Sequence, residues 1–374
     1  MKIAVLSSHT PSLFWFRIDM MKEFINNGHT VIALGADSEG EWKAKFREYD
    51  IDYRQLYVER NSINPIKDLK TLCELCRFMK KEKPDKVFAY QAKTVVYGSI
   101  AARLNGITEV YPLIAGLGSV FRGKGFKNQI VRNIMKKEYW LACRCSKKVF
   151  FQNTDDKNEF IYNRLIKDDK TVIINGSGVN LEKFKPVPIP VQPAFLFIGR
   201  LIKDKGVVEY LEACKAVREK LPHIRCLLIG PYDSNPSALK TEELQPYLDS
   251  GAVEYFGEQS DVRPFIAQCS TYVLPSYHEG TPKTVLEAMA MGRPIITSDA
   301  PGCRETVTDG VNGYLVQVKD IQGLAEKMLY LANHSAICRE MGDKSLEIAK
   351  EKYDVKRVNQ VIMETMGIAA KPKG

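Results

Sequence analysis

The sequence predicts an α/β protein of two doubly wound domains, each a parallel sheet covered by helices on both faces. Three observations carry this. Short β-branched runs alternate with helix-length amphipathic stretches; the run PVPIPVQP (186–193), with four prolines in eight residues, interrupts them; the alternation then restarts. Near-continuous apolar strands separated by helices imply parallel sheets buried on both faces. At 374 residues the chain is long enough for two such domains.

In the first half, strands are read at KIAVLSS (2–8), TVIALGA (30–36), DKVFAYQ (85–91), VYPLIAG (110–116), KKVFFQN (147–153) and TVIINGS (171–177). Between them lie helical patterns such as SLFWFRIDMMKEFINNG (12–28) and PIKDLKTLCELCRFMKKEKP (65–84). The proline run can be neither helix nor central strand and reads as an interdomain linker. Beyond it, AFLFIGR (194–200), IRCLLIG (224–230), VEYFGE (253–258), TYVLPS (271–276) and RPIITSDA (293–300) are strands, and VVEYLEACKAVREKL (207–221) is a helix. The expected division is 1–187, 188–354 and a final helical stretch, 355–374, that packs back across the linker. Two tandem domains of this class place a cleft between their C-terminal strand edges, where ligands of such folds bind.

Composition narrows the function. No run reaches the roughly 18 consecutive apolar residues of a membrane span. The N-terminal run breaks early without a cleavage pattern, so it reads as a first strand and the chain as cytosolic. Nine scattered cysteines, including Cys73 and Cys76 within a helix, lack the paired spacing of a zinc site and read as reduced thiols. Residues 1–190 hold 32 Lys and Arg against 21 Asp and Glu, and the remainder holds 22 against 24. The basic half admits nucleic acid, an anionic membrane or a merely basic surface. No nucleic-acid motif accompanies the charge.

The chemistry concentrates in HEGTPKTVLEAMAMGRP (278–294). His278 and Glu279 follow a buried strand. Thr281 suits an N-cap and Pro282 the first helical position. A helix N-terminus is a ready anion site, so the amides of Gly280, Thr281, Lys283 and Thr284 are candidate phosphate ligands. Glu287 then lies in the second turn, with a diphosphate, a ribose and a sugar fitting between the two carboxylates. On another strand end, Gly199 and Arg200 precede Lys205, a fork and a point charge suited to phosphate oxygens. Two cations and a helix end stabilise the charge that grows on a departing diphosphate.

These segments together resemble the large retaining family-4 glycosyltransferases of the GT-B fold, two Rossmann-like domains facing across a cleft. The resemblance rests on the Glu-x7-Glu of Glu279 and Glu287, GRLIKDKG (199–206), INGSGVNLEKF (174–184), FGEQSDV (256–262) and DAPGCRETVTDGVNGYLV (299–316). In the first half, YQAKTVVYGSIAARLNG (90–106) and LIAGLGSVFRGKG (113–125) resemble a subgroup that elongates polyprenyl-diphosphate-linked sugars for glycan, capsule or O-antigen assembly, among them bacterial α-1,3-N-acetylgalactosaminyltransferases.

The resemblance implies a UDP-sugar donor, an undecaprenyl-diphosphate-linked acceptor and peripheral attachment to the inner face of the cell membrane. It implies that Arg200 and Lys205 hold the diphosphate, Glu279 contacts the transferred sugar and Glu287 the ribose. Phe256, Gly257 and Glu258 would edge the base, and Gly116 and Gly118 would let the first domain approach the donor. His9, Arg17 and Lys93 are acceptor-side candidates. Two departures stand out: the histidine many members carry in the first-domain loop is Ala115, and their paired glycines after the first strand are replaced by SSHTPS.

No obligatory cofactor or metal is expected. The formal D-x-D of Asp50–Asp52 reads as surface. A basic amphipathic helix, KGFKNQIVRNIMKKEYWLACRCSKK (124–148), suits an anionic membrane, although in a doubly wound domain its apolar side would ordinarily pack on the sheet. Nearest among the rival readings is a transferase with a soluble acceptor; a sugar-nucleotide epimerase of the same fold is another. A glycoside hydrolase shares the carboxylate pair but has no use for Arg200, Lys205 and a phosphate-ready helix end.

Overall fold

The structure, a computed structural model, describes residues 1–59, 64–117, 126–233, 235 and 237–368, with the side chains of Phe126 and Lys127 excepted. The chain divides into two units, Met1–Ser177 with Val355–Gly374, and Gly178–Asp354.

The first unit runs β1 (Lys2–Ser7), α1 (Thr10–Asn26), β2 (Thr30–Gly35), α2 (Glu39–Arg47), β3 (Asp52–Gln55), α3 (Pro65–Glu82), β4 (Lys86–Tyr90), α4 (Ala92–Leu104), β5 (Val110–Ile114), α5 (Phe126–Cys145), β6 (Val149–Phe151), α6 (Thr154–Tyr162) and β7 (Thr171–Ile173). Its sheet has the order β3-β2-β1-β4-β5-β6-β7, all parallel. Both faces are buried, as the unbroken apolar runs require. Ile3 and Val5 of β1 join one cluster with Leu13, Met20 and Phe24 of α1, while Ala4 and Leu6 join another with Leu75 and Met79 of α3.

The second unit runs β8 (Ala194–Ile198), α7 (Val207–Lys220), β9 (Arg225–Ile229), α8 (Thr241–Asp249), β10 (Glu254–Tyr255), α9 (Arg263–Gln268), β11 (Thr271–Leu274), α10 (Lys283–Ala290), β12 (Ile295–Ser298), β13 (Gly313–Val316), α11 (Ile321–Asn333) and α12 (Ser335–Lys352). The strand order β10-β9-β8-β11-β12-β13, again all parallel, reverses direction between β8 and β11. The chain then returns to the first unit as α13 (Val355–Thr365), whose Val358, Ile362 and Met363 enter the cluster of α1.

The boundary falls at 177/178, ten residues before the expected 187/188. Residues 178–189 pack on the second unit: Val179 bridges Asp354, and Phe184 is in its core. The proline run is therefore not a free linker. Arg293, with none of its surface exposed, donates to the carbonyls of Val187 (2.9 Å), Pro188 (3.1 Å), Met291 (3.1 Å), Ile266 (2.9 Å) and Ala267 (3.3 Å). The alternating prolines of the run lack the N–H donors that a strand needs, and one buried guanidinium instead ties its Val187 and Pro188 carbonyls to those of Met291, Ile266 and Ala267. Burial holds its pKa below the usual arginine value. All nine cysteines are free thiols, six of them buried.

Arg293→Ala removes the guanidinium donor from the buried carbonyls of Val187, Pro188 and Ala267 and weakens the bonding of Met291 and Ile266, and is expected to cost about 3 kcal/mol or more. Urea unfolding followed by circular dichroism should show the lowered midpoint.

Candidate active site

The C-terminal ends of β10, β9, β8 and β11 lie side by side on the second unit, and each carries a sequence-predicted residue or its partner. The two central strands flank the point where the strand order reverses, the usual ligand site of an open α/β sheet. β8 leads through Gly199 and Arg200 into a 3-10 turn, Lys203–Lys205; β11 leads through residues 275–282 into α10.

The two central loops touch because Gly206 has no side chain. It sits at φ +74°, and a Cβ there would lie 2.1 Å from the Pro275 carbonyl oxygen. Across this contact the Tyr277 amide donates to the Asp204 carbonyl at 2.9 Å, and the Ser276 hydroxyl donates to it at 3.2 Å. The Tyr277 hydroxyl donates to Glu209, a buried carboxylate in the first turn of α7. From the other side, the Glu279 amide donates to the Pro301 carbonyl at 2.9 Å, and Gly302 is bare where a Cβ would stand 2.2 Å from the Glu279 carbonyl.

So clamped, Glu279 meets Lys205 in an ion pair whose side chains are only 11% and 23% exposed. Arg200 is paired too, with Asp233 of the β9 loop at 2.8 Å. Both predicted phosphate ligands thus hold a carboxylate, which the sequence does not disclose because the partners lie 74 and 33 residues away.

Glu287 is buried on α10. Burial pushes its carboxyl up to about 7, against the pull of Lys283 and Lys183, and Asp261 adds to the rise. Lys183 and Asp261 belong to the segments 174–184 and 256–262 whose resemblance was noted, but neither was singled out as a site residue. Glu279 and Glu287 both act on the buried Tyr272 phenol, whose pKa rises chiefly through burial.

The helix begins at Lys283, with Pro282 as its N-cap, not Thr281. Pro282 is extended (φ −72°, ψ 111°), and its side chain has no capping oxygen. The Thr284 hydroxyl accepts from Tyr272 at 2.7 Å, which fixes α10 to the sheet. His278 lies in the clamped loop, its carbonyl accepting from Ser276 at 3.4 Å. Gly280 is buried beside it, Thr281 half-buried. Just after β10, the Phe256 amide donates to Leu228 at 3.0 Å and the Gly257 carbonyl accepts from Gly230 at 2.9 Å, while Glu258 is exposed.

In the first unit, His9 caps α1, its Nδ1 accepting from the Ser12 amide at 3.3 Å. Arg17 is not displayed for phosphate. It is 2% exposed, lies over the rings of Phe88 and Tyr90 at 5.7 and 5.3 Å, and burial lowers its pKa to about 10. Lys93 is likewise engaged, in an ion pair with Asp68. Gly116 follows β5 at φ +108°, and Gly118 lies outside the described residues. Asp52 opens β3, at the end of the strand opposite the βα loops, and pairs with Arg54 at 2.8 Å. Among the described residues no cluster of His, Cys, Asp and Glu could hold a metal ion.

A doubly wound sheet with cations, a carboxylate and a helix start gathered at its switch point has the build of a nucleotide-binding domain. Comparison with known proteins narrows the class. Residues 192–334 match the family of glycosyl transferases group 1, and residues 2–153 match the glycosyl transferase 4-like family. The N,N'-diacetylbacillosaminyl-diphospho-undecaprenol alpha-1,3-N-acetylgalactosaminyltransferase of Campylobacter jejuni is 31% identical over 345 residues, covering 88% of this chain and 89% of that protein. The UDP-Gal:alpha-D-GlcNAc-diphosphoundecaprenol alpha-1,3-galactosyltransferase of Escherichia coli is 28% identical, covering 80% and 77%.

A glycosyltransferase of Rickettsia africae superposes with a TM-score of 0.79 at 19% identity, covering 100% of this chain and 99% of that one. Anabaena Alr3699/HepE, solved with UDP and glucose, gives 0.77 at 19%, covering 99% and 100%. These solved structures share the fold. The chain belongs to the group 1 and 4-like glycosyltransferases, and its two Rossmann-like units are those of the GT-B class.

A carboxyl raised by burial opposes folding once it must ionise. Below about pH 4.5 Glu287 is protonated in both states; between there and about 7 only the folded state keeps the proton, so stability falls as pH rises and then levels off. Relative to Glu287→Gln, the wild type should lose up to about 3 kcal/mol between pH 5 and pH 8, read from paired urea titrations.

Proposed function

We propose that this enzyme transfers an N-acetylhexosamine such as N-acetylgalactosamine from UDP to an undecaprenyl-diphosphate-linked saccharide in surface-glycan assembly, with retention of anomeric configuration. The observation that carries the reading is the meeting of Lys205 and Glu279 at the switch point of the second unit, in a chain similar over nearly its whole length to a transferase named for such an acceptor.

The donor's diphosphate replaces the carboxylates on Lys205 and Arg200 and lies near the start of α10. Glu287 takes the ribose hydroxyls, and Phe256, Gly257 and Glu258 border the uracil. As the bond from the sugar's anomeric carbon to the diphosphate breaks, its electron pair goes to the leaving oxygen, where the two cations stabilise it. Glu279, released from Lys205, supports the cationic sugar. The acceptor hydroxyl attacks from the face of departure and gives its proton to the leaving diphosphate, so no further protein base is needed. The cations supply the neutralisation a divalent metal would otherwise provide, and transfer is expected to persist in EDTA. His9 and Gly116, at strand ends of the first unit, are the acceptor-side candidates.

The membrane enters through α5. Ile130, Ile134, Trp140 and Leu141 are exposed on it rather than packed on the sheet, interspersed with Lys137 and Arg144. Arg144 lies over the Trp140 ring at 4.4 Å. An aromatic, two basic side chains and aliphatic tips on one face suit an anionic interface, each basic residue adding about 1 kcal/mol. No helix among the described residues is long and apolar enough to cross a membrane, so we place the enzyme at the inner face of the cell membrane as a peripheral protein.

Purified enzyme given UDP-N-acetylgalactosamine is expected to extend a short-chain polyprenyl-diphosphate monosaccharide and not the free saccharide; the reverse preference would overturn the acceptor assignment. Arg200→Ala and Lys205→Ala should each lower kcat by roughly 10²-fold, and normal turnover in both would remove their roles. Ile134→Asp should abolish salt-sensitive sedimentation with anionic vesicles while leaving the circular dichroism spectrum unchanged. Equal binding to neutral vesicles at all salt concentrations would contradict the membrane role.

A further inference from the structure

Each cation of the donor rim is already paired, but only one of the two carboxylates has a task in the reaction proposed above. Glu279 supports the transferred sugar. Asp233, on the loop after β9, has none, yet its Oδ2 accepts from Arg200 Nη1 at 2.8 Å. The environment is asymmetric: the Asp233 side chain is 17% exposed and that of Arg200 is 42% exposed.

Nor is Asp233 simply drawn to the nearest cation. Its other oxygen, Oδ1, accepts the amide of Asn235 at 2.8 Å. That local turn, a common use of aspartate in loops, fixes the carboxylate from its own side. The carboxylate is held in position by its loop, while the guanidinium reaches it from another strand. A carboxylate oxygen on a guanidinium has the charge and hydrogen-bond geometry of a phosphate oxygen on the same group.

We propose that Asp233 sets the nucleotide affinity of the donor site: it occupies on Arg200 the place a diphosphate oxygen takes, and it competes with the product nucleoside diphosphate for that guanidinium. The inference rests on the reading of the donor site given above. Its consequence lies in product release. The departing nucleoside diphosphate carries a terminal phosphate no longer esterified to sugar, and so binds the cations more strongly than the donor does. A carboxylate fixed beside Arg200 satisfies the cation as the product leaves, which lowers the cost of release. Lys205 has the same arrangement with Glu279, but there the carboxylate is also needed for chemistry. Asp233 separates the two roles.

The test is Asp233→Asn in the full chain. Asparagine keeps the oxygen that accepts from Asn235 and turns toward Arg200 an uncharged amide nitrogen, which cannot accept from the guanidinium. Because partly exposed ion pairs are weak, UDP measured by titration calorimetry should bind about threefold to tenfold more tightly to this variant than to wild type. The gain should disappear in an Arg200→Ala background, since the two residues act as a pair.

Two results would overturn the inference while leaving the donor site intact: UDP binding that is unchanged or weaker in Asp233→Asn, or a gain of equal size in the Arg200→Ala background, which would reflect only the general field of one negative charge. Failure of UDP to bind wild type and variant alike would overturn the donor-site reading, and this inference with it.

Discussion

The candidate site depends on one close approach, that of the loop after β8 to the loop after β11. Parallel pairing of these strands brings their C-terminal ends together, but adjacency alone leaves room for slack. The slack is removed where Gly206 lies against the Pro275 carbonyl, and the Asp204 carbonyl then receives both the amide of Tyr277 and the hydroxyl of Ser276. Any side chain at position 206 would push the loops apart, and the distance between Lys205 and Glu279 would grow with it. Glu209 adds a brace, since its buried carboxylate accepts from Tyr277 while standing at the positive end of α7. The chemistry of the rim is therefore set by backbone contacts one layer behind it.

That layer also determines how charge is stored. Lys205 and Glu279 are mostly removed from water, so neither is easily left alone, and losing one partner is costly for the other. A ligand proposed for this site would exchange partners with these ion pairs instead of adding contacts to open groups. Glu287 follows a different rule: Lys283 and Lys183 lower its carboxyl less than burial raises it, to about 7. Two glutamates eight positions apart thus sit in different settings, one in contact with a lysine and the other governed by burial.

Much of this was legible from residue order, and the reasons differ from feature to feature. The central strands of both sheets are buried on both faces, so their apolar runs stand out; β13, with Tyr314 and Leu315 only half-buried, is not among the strands read from the sequence. The clustering of Arg200, Lys205 and Glu279 was visible because each follows a strand at a βα junction. Their partners were not, because Asp233 resembles any other loop aspartate until β9 is placed beside β8. Arg293 looked like part of a motif, yet it is a buried anchor for a proline run that seemed to be free chain. For α5 the helix was evident, but which face it buries is decided by α4 and the sheet, which the periodicity of one helix cannot reveal.

The return of the chain to its first unit has a bearing on biosynthesis. The hydrophobic cluster beneath α1 contains Val358, Ile362, Met363, Met366 and Ile368, residues that leave the ribosome after the whole of the second unit. The first unit must therefore wait, its α1 face unsealed, while the intervening residues 178–354 are synthesised and can fold. The lobe that is translated first is finished last, and throughout that interval its open apolar surface is where a chaperone would find a hold.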